Sequence, residues 1–490
     1  MFMKKITSFA VAALLCANAY GAEDFTTAGN GTAYTLDVLA STDGSGVTKD
    51  GTTYVLLNNI TIATGDSFVC PDGGTIKMGD GVQIRIEGSA SFAPENRVLI
   101  TRNAETDAPK GIMMLDEVNR TTFKNIDFEY AGLRNFSSTG FDVENCSFRY
   151  NNGANTSSGA LTTGTGGSSY TVKDCVFEYN TVPAIGGAAN YFCGIVIDNC
   201  TFVDNNTANT NKPQINLTVG GEGGVVVKNS TFTGAQRSMV GAISTSNFMG
   251  LEGGNVLIEN NDIRGHRYGI TALGGQSMKI INNKIIDNKY DTNPMNGGSG
   301  ISLYDSTGAL EAVITGNEIA DNFWGITVIG ACKSVNAGYD DELVEAYNPG
   351  HNIFRDNANN GTPYDLYNNS TITVYAQGNK WSVESQTAEL IETVIFHKVD
   401  NPSLGEVIFT PAWDGGAVKT ITNECDIRFF NNKIVAPTEA IVEVFALNGA
   451  KVAHINAIDG IADLSSLAKG SYIARLTMGE KTSVVKCIVR

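Results

Sequence analysis

Basic residues are scarce in this chain. It carries 34 lysines and arginines against 51 aspartates and glutamates over 490 residues, a formal charge of −17. Neutralising a phosphate backbone takes a basic face, so this balance argues against nucleic acid as a partner. The same balance disfavours electrostatic capture of an acidic polysaccharide unless a cation bridges the two. Histidine is scarcer still, with four in all, and no Cys-x-x-Cys or Cys/His spacing of a zinc site occurs. There are only 11 prolines against 54 glycines, which suits an ordered, turn-rich β chain. Gly-x-Ser-x-Gly, phosphate-loop and dinucleotide fingerprints are absent.

Long apolar runs are also missing, so no transmembrane span is expected. The one apolar stretch near the N-terminus, Ile6 to Cys16, follows Lys4-Lys5 and precedes Ala17-Asn18-Ala19. A basic start, a short apolar core and a small-x-small site predict a secretory signal peptide over residues 1–22, cut after Ala19 or close to it. Leu14-Leu15 before Cys16 are too bulky for a lipid-anchor signal. Export permits disulfides among Cys70, Cys146, Cys175, Cys193, Cys200, Cys332, Cys425 and Cys487.

What is present is a repeat. Residues 195–205 read Ile-Val-Ile-Asp-Asn-Cys-Thr-Phe-Val-Asp-Asn, and the phrase recurs with variation through the middle of the chain. Its closing apolar residue gives ten anchors: Phe128, Phe148, Phe177, Phe202, Phe232, Ile263, Ile285, Ile319, Phe354 and Trp381. Repeats of this size indicate a solenoid or array. Seven and five residues before the anchor stand apolar pairs such as Phe141/Val143, Ile195/Ile197 and Met278/Ile280, the alternation of a half-buried strand. Three before it come Asn125, Asn145, Asp174, Asn199, Asn229, Asn260, Asn282, Gly316, His351 and Gly378, mostly types that tolerate a left-handed bend. Two before it come Ile126, Cys146, Cys175, Cys200, Ser230, Asn261, Asn283, Asn317, Asn352 and Asn379. Stacked coils lie about 4.8 Å apart, a spacing compatible with a disulfide as well as with free thiols filling a buried column.

A third strand, introduced by Gly269, Gly300 and Gly325, completes each coil, and loops such as 153–168, 206–213, 289–299 and 333–349 lengthen the bends. Residues 23–53 read as a loop-rich lead-in. Three strands and three bends per coil fit a right-handed parallel β-helix, and the phrase from Thr75 to Gly88 resembles the opening coils of that family. Residues 388–396 read as a short helix, and Gly378-Asn-Lys-Trp381, followed by Asp400-Asn-Pro402 and the Pro-aromatic close at Pro411–Trp413, resembles the C-terminal cap of bacterial β-helix domains. After a linker at 414–424, residues 425–490 resemble the C-terminal sorting domain of type IX secretion cargo. The resemblance rests on Asn448-Gly449, Leu464, Leu467, Gly470, Tyr472 and Lys486, and it implies a small β-sandwich and the outer-membrane type IX machinery as partner. Cys487 is unusual at its position, with Cys425 as a candidate partner. The expected protein is therefore all-β: leader 1–22, β-helix 23–413, linker 414–424 and sorting domain 425–490, secreted or held at the cell surface.

Candidate chemistry is sparse. Asp287, Asp321 and Asp356 stand two residues after their anchors on successive coils, with Asp204 earlier, and each precedes an asparagine. Stacked carboxylates repel unless neutralised. Ca²⁺ would do this as a metal cofactor; alternatively each Asp hydrogen-bonds its own bend. Arg264, His266, Arg267 and Lys284 form a basic cluster near this column. Parallel β-helix polysaccharide lyases use Arg or Lys as base, often with Ca²⁺ on a uronate, so the resemblance implies catalytic candidates there. The alternative is a charged surface loop. Polygalacturonase-like motifs are not matched: Gly265-His266-Arg267 lacks its second glycine, and Asp340-Asp341 follows the histidine instead of preceding it. Tyr130, Tyr150 and Tyr179 share one column, as a packing ladder or a glycan platform. Three readings stand: a glycan-interacting surface protein, a polysaccharide lyase, and a structural antigen or adhesin.

Overall fold

In the computed structural model, all ten predicted bend residues adopt positive φ, from 51° at Asn145 to 69° at Gly316. Each bend turns the chain from an apolar-pair strand into an anchor strand, so coils stack with their columns in register. Phe148 pairs with Phe128 and with Phe177, and the alignment continues through Phe202, Phe232, Ile263, Ile285, Ile319 and Phe354. The structure describes residues 24–413 except 116–118, 153–157, 165, 188–191, 252–253, 292 and 342–344. Beyond these it describes residues 428–489 except 431, 437–439 and 479–480. The expected leader, the linker and Cys425 lie outside the described residues.

Three long sheets of 14, 13 and 11 strands extend over residues 24–396, 47–355 and 121–408. Nearly all neighbours pair in parallel, the antiparallel exception being the hairpin of Val47–Asp50 with Thr53–Leu56. The protein is thus a parallel β-helix. One apolar cluster fills it from Leu36 to Val407. Within that core Phe128, Phe148, Phe177, Phe202 and Phe232 stack ring on ring at 4.5–5.1 Å, within 7° of parallel. Each such pair contributes about 0.5–1.5 kcal/mol beyond its burial.

The polar column beside the anchors is a hydrogen-bonded ladder. The side-chain oxygen of Asn283 accepts from both the backbone N–H and the Nδ2 of Asn261, at 3.0 and 2.9 Å. Asn317, Asn352 and Asn379 repeat this on the following coils. Ser230 and Cys200 join its upper end. In the same column Cys146, Cys175 and Cys200 each donate to the carbonyl two residues back, of Glu144, Lys173 and Asp198. All seven described cysteines are free and buried. Thiol and amide columns are alternative ways of filling one small buried position.

The lead-in is more ordered than its composition suggests. Asp24–Thr26 opens the 14-stranded sheet, and the helix Leu36–Ala40, capped by Thr35, buries Leu36 and Leu39. The Asp66 carboxylate holds the strand-to-helix approach by accepting from the N–H groups of Gly29, Asn30, Gly31 and Thr32 at 2.7–3.0 Å. A helix this short carries little periodic signal, which is why a loop was expected. At the other end Ala388–Glu392 forms the expected helix and buries Ile391. His397 there accepts from the Val407 N–H and meets Glu392. No helix of the described residues is long and apolar enough to cross a membrane.

Residues 415–490 form a second compact unit. Its described strands make antiparallel sheets of three and four strands. One buried cluster draws Ile434 and Ala462 from the first, and Val442, Val444, Ala474, Leu476 and Cys487 from the second. Gly449, at φ 85°, turns the hairpin between Ile441–Ala446 and Lys451–Asn456.

Candidate functional site

The bend after the anchors scatters the basic cluster. Arg264 lies on the outward face of the 13-stranded sheet, with Nε and Nη2 both on the Asp262 carboxylate. Lys284 stands on the next strand of that sheet, opposite Asp262. Gly265, at φ 77°, then turns the chain, which sends His266 into the core and Arg267 round to the 14-stranded sheet. The expected constellation of Arg264, His266, Arg267 and Lys284 is therefore not assembled at one point.

His266 belongs to a second polar ladder. Its links run from Asn151 through Asn180 and Asn205 to Gln214, then His266, Asn288, Asn322 and Asn357, ending on Asp365. The Asn288 oxygen accepts from His266 Nδ1–H, which leaves Nε2 to accept from Gln214 Nε2, 2.7 Å away. That tautomer satisfies both nitrogens in the neutral ring; a second proton would face a donor. Burial pushes the imidazole down to about 4, against smaller opposing effects from Asn288 and Asp204. His266 is a buried structural link and is corrected as a catalytic candidate. The signal for this ladder was in the sequence, in the asparagines that follow Asp204, Asp287, Asp321 and Asp356.

The unfolded chain takes up a proton at His266 near pH 6.5 and the folded protein does so only near pH 4. Stability is then complete above pH 6.5 and falls as pH drops toward 4, by roughly 3 kcal/mol for this group. His266→Gln should flatten that part of the pH dependence, measured by urea unfolding at neutral and acidic pH. An unchanged slope in the variant would contradict the buried neutral assignment.

Asp287, Asp321 and Asp356 all sit at left-handed bends, at φ 60°, 56° and 54°. Lys289 reaches both Asp287 (3.5 Å) and Asp321 (2.5 Å), and Tyr290 donates to Asp287. Arg237 grips Asp204 with two hydrogen bonds. Asp204, Asp287 and Asp321 are thus each paired with a side-chain cation. Among the described residues no group of three or more His, Cys, Asp or Glu side chains converges as a metal ion requires.

A concave feature lies over the outward face of the 14-stranded sheet. It is a groove of about 370 Å³. Its floor is a row of small hydroxyls in register, Ser244, Thr271, Ser302 and Thr327, ending at Tyr367. A second row carries Leu273, Tyr304, Ile329 and Asn369. The 289–299 loop supplies one wall through Pro294, Met295, Asn296 and Gly297. Trp324 also lines the groove, edge-on to Tyr367 at 6.3 Å, and Tyr367 stacks on Phe396 at 4.5 Å. Met295 is 83% exposed and Tyr304 37%, so apolar surface faces solvent here.

Arg267 is the sole charged side chain among the described residues lining this groove. It is already committed: Nε donates to Asp291, Nη1 to Asn211 and Nη2 to the Asn296 carbonyl. Both partners of the Arg267–Asp291 pair are nearly buried, at 12% and 6% exposure. Beside it Tyr268 packs where Gly241 leaves room, since a Cβ there would come 2.1 Å from the ring. Burial pushes the Tyr268 phenol up to about 12, so it stays protonated at neutral pH. A wider depression of about 830 Å³ on the 11-stranded sheet is lined by Lys279, Glu311, Lys333 and Glu345, and Lys333 pairs with Glu311.

No protein-family model matches this chain, and no curated protein does. Among solved structures, the crystal structure of the periplasmic alginate epimerase AlgG matches at 11% identity. The match covers 78% of this chain and 83% of that one, with a TM-score of 0.32. A likeness at that level supports no functional inference.

Proposed function

We propose that the protein binds a saccharide chain in the groove over the 14-stranded sheet, and that it does so outside the cell or at its surface. The observation that carries this reading is a set of aromatic side chains (Trp324, Tyr304, Tyr367) lining the groove together with a row of aligned hydroxyls and an amide. Sugars present apolar C–H faces and a rim of hydroxyls, and pockets that hold such ligands combine aromatic surface with a few convergent polar groups. The saccharide is a neutral one. Arg267 is balanced by Asp291, no carboxylate lines the groove among the described residues, and the protein as a whole carries a charge of −17. A uronate would bring negative charge with no free cation to meet it. For the same reason binding, and not uronate lyase chemistry, is the reading supported. Abstracting a proton beside a carboxylate needs a base and an anion-stabilising group at one point. Calorimetry with neutral and uronate oligosaccharides should show binding of a neutral chain that is insensitive to salt. Tight, salt-sensitive binding of uronates alone would overturn the choice.

Export is proposed from the N-terminal leader and the C-terminal unit, whose two antiparallel sheets share one core and are read as a β-sandwich sorting domain of the type IX kind. Deleting residues 425–490 should trap the protein inside the cell envelope. Undiminished appearance of the truncated chain outside the cell would refute the sorting role.

A further inference from the structure

Tyr130, Tyr150 and Tyr179 occupy the left-handed bend of three successive coils, at φ 57°, 58° and 54°. Further along the same column the bend is filled by Asp204, Gly265, Asp287, Asp321 and Asp356, residue types suited to it. A bulky aromatic residue at positive φ is an outlier, and such strained positions concentrate at ligand sites. Burial does not compensate for the strain, because Tyr150 and Tyr179 remain 41% and 44% exposed. Among the described residues none of the three phenol hydroxyls finds a hydrogen-bond partner.

The rings stack on one another at 5.5 and 6.2 Å, and the Arg102 guanidinium closes the end of the row, 3.8 Å from the centre of Tyr130. Stacked rings turn their edges and hydroxyls to solvent. The edge is the positive part of an aromatic quadrupole, so the row offers weak C–H and strong O–H donors to the oxygens of a polyol. A hollow of about 270 Å³ runs beside it, lined also by Glu105, Asp107, Asn152 and Thr181. Its two carboxylates offer acceptors to the hydroxyls of a polyol and, outnumbering the one guanidinium, disfavour an anionic chain.

The ladder and the groove share one edge of the helix. Tyr179 and Gly265, the bend leading to Arg267, are three coils apart in a single column, about 14 Å at roughly 4.8 Å per coil. We propose that the tyrosine ladder is a second subsite for the neutral saccharide chain whose other part lies in the groove. This rests on the groove reading given above. Two linked sites raise affinity for any chain long enough to reach both, without a new contact at either.

The test uses short and long neutral gluco-, xylo- and manno-oligosaccharides, titrated by calorimetry into the full chain and into a Tyr150→Asn/Tyr179→Asn variant. In the wild type, affinity should rise with chain length. In the variant, short-chain affinity should be unchanged and the long-chain advantage should fall by about tenfold or more. Asparagine suits a left-handed bend, so the variant's Tm should hold or rise; a fall of several degrees would mean that the ladder is packing, and would overturn the proposal. So would a long-chain advantage that survives in the variant, or one that is absent from the wild type. A Trp324→Ala variant separates the two sites: it should weaken short-chain binding about thirtyfold and keep weak binding of long chains at the ladder. If the wild type binds no neutral saccharide, the ladder inference falls together with the groove.

Discussion

Asn317→Ala is expected to lower the stability of the β-helix by about 3–5 kcal/mol, read as a lower urea midpoint. Asn317 is fully buried. Its side-chain oxygen accepts from the Asn283 N–H and Nδ2, and its Nδ2 donates to Ile280, Thr315 and Asn352. Alanine leaves the Asn283 N–H and the Ile280 carbonyl with no solvent to replace the lost partner, and each orphaned buried group costs about 1–3 kcal/mol. Asn260→Ala, in the adjacent bend column, is the contrast. Asn260 loses mainly its tolerance of φ 57°, so the cost should be about 1 kcal/mol. Equal effects at the two positions would mean that the buried ladder adds nothing beyond backbone preference.

Trp324→Ala should weaken binding of a short neutral oligosaccharide about thirtyfold, near 2 kcal/mol, the scale at which a buried aromatic anchor dominates an interface. Trp324 is the residue to remove because its ring forms the wall against Tyr367 while its neighbours on the floor contribute one hydroxyl each. Arg264→Ala is the matched control. Its side chain is spent on Asp262 on a different sheet, so affinity should not change. Arg267→Ala is a poorer probe, since it would strand Asp291 in a nearly buried site and destabilise the protein for reasons unrelated to ligand. Binding that survives Trp324→Ala and is lost in Arg264→Ala would move the site to the 13-stranded sheet.

The coil was legible because everything that defines it is local and periodic. Alternating apolar residues specify a strand with one buried face, an Asn, Asp or Gly three residues before the anchor marks a left-handed bend, and repetition aligns like with like. Hence the Phe stack and the first asparagine ladder could be read as columns. The second ladder was half visible: asparagine followed each column aspartate, but Gln214 and His266 break the residue type. Only the structure shows that they carry the same hydrogen bonds.

What the sequence by itself determined was therefore a stack of three-stranded coils with buried polar ladders, and the expectation that any working surface lies in the loops and outward columns. What tertiary structure alone decided was which of those surfaces converge. Arg264 and Arg267 are three residues apart and face different sheets, because the bend at Gly265 lies between them. Arg267 and Asp291 are 24 residues apart and form one pair. The groove draws Ser244, Trp324 and Tyr367 from separate coils and a wall from one loop. The physical reason is that a column repeats and leaves a period in the chain. A groove depends on how far a single loop folds over the outward face and on which side chains pair across coils, and neither leaves a period to read.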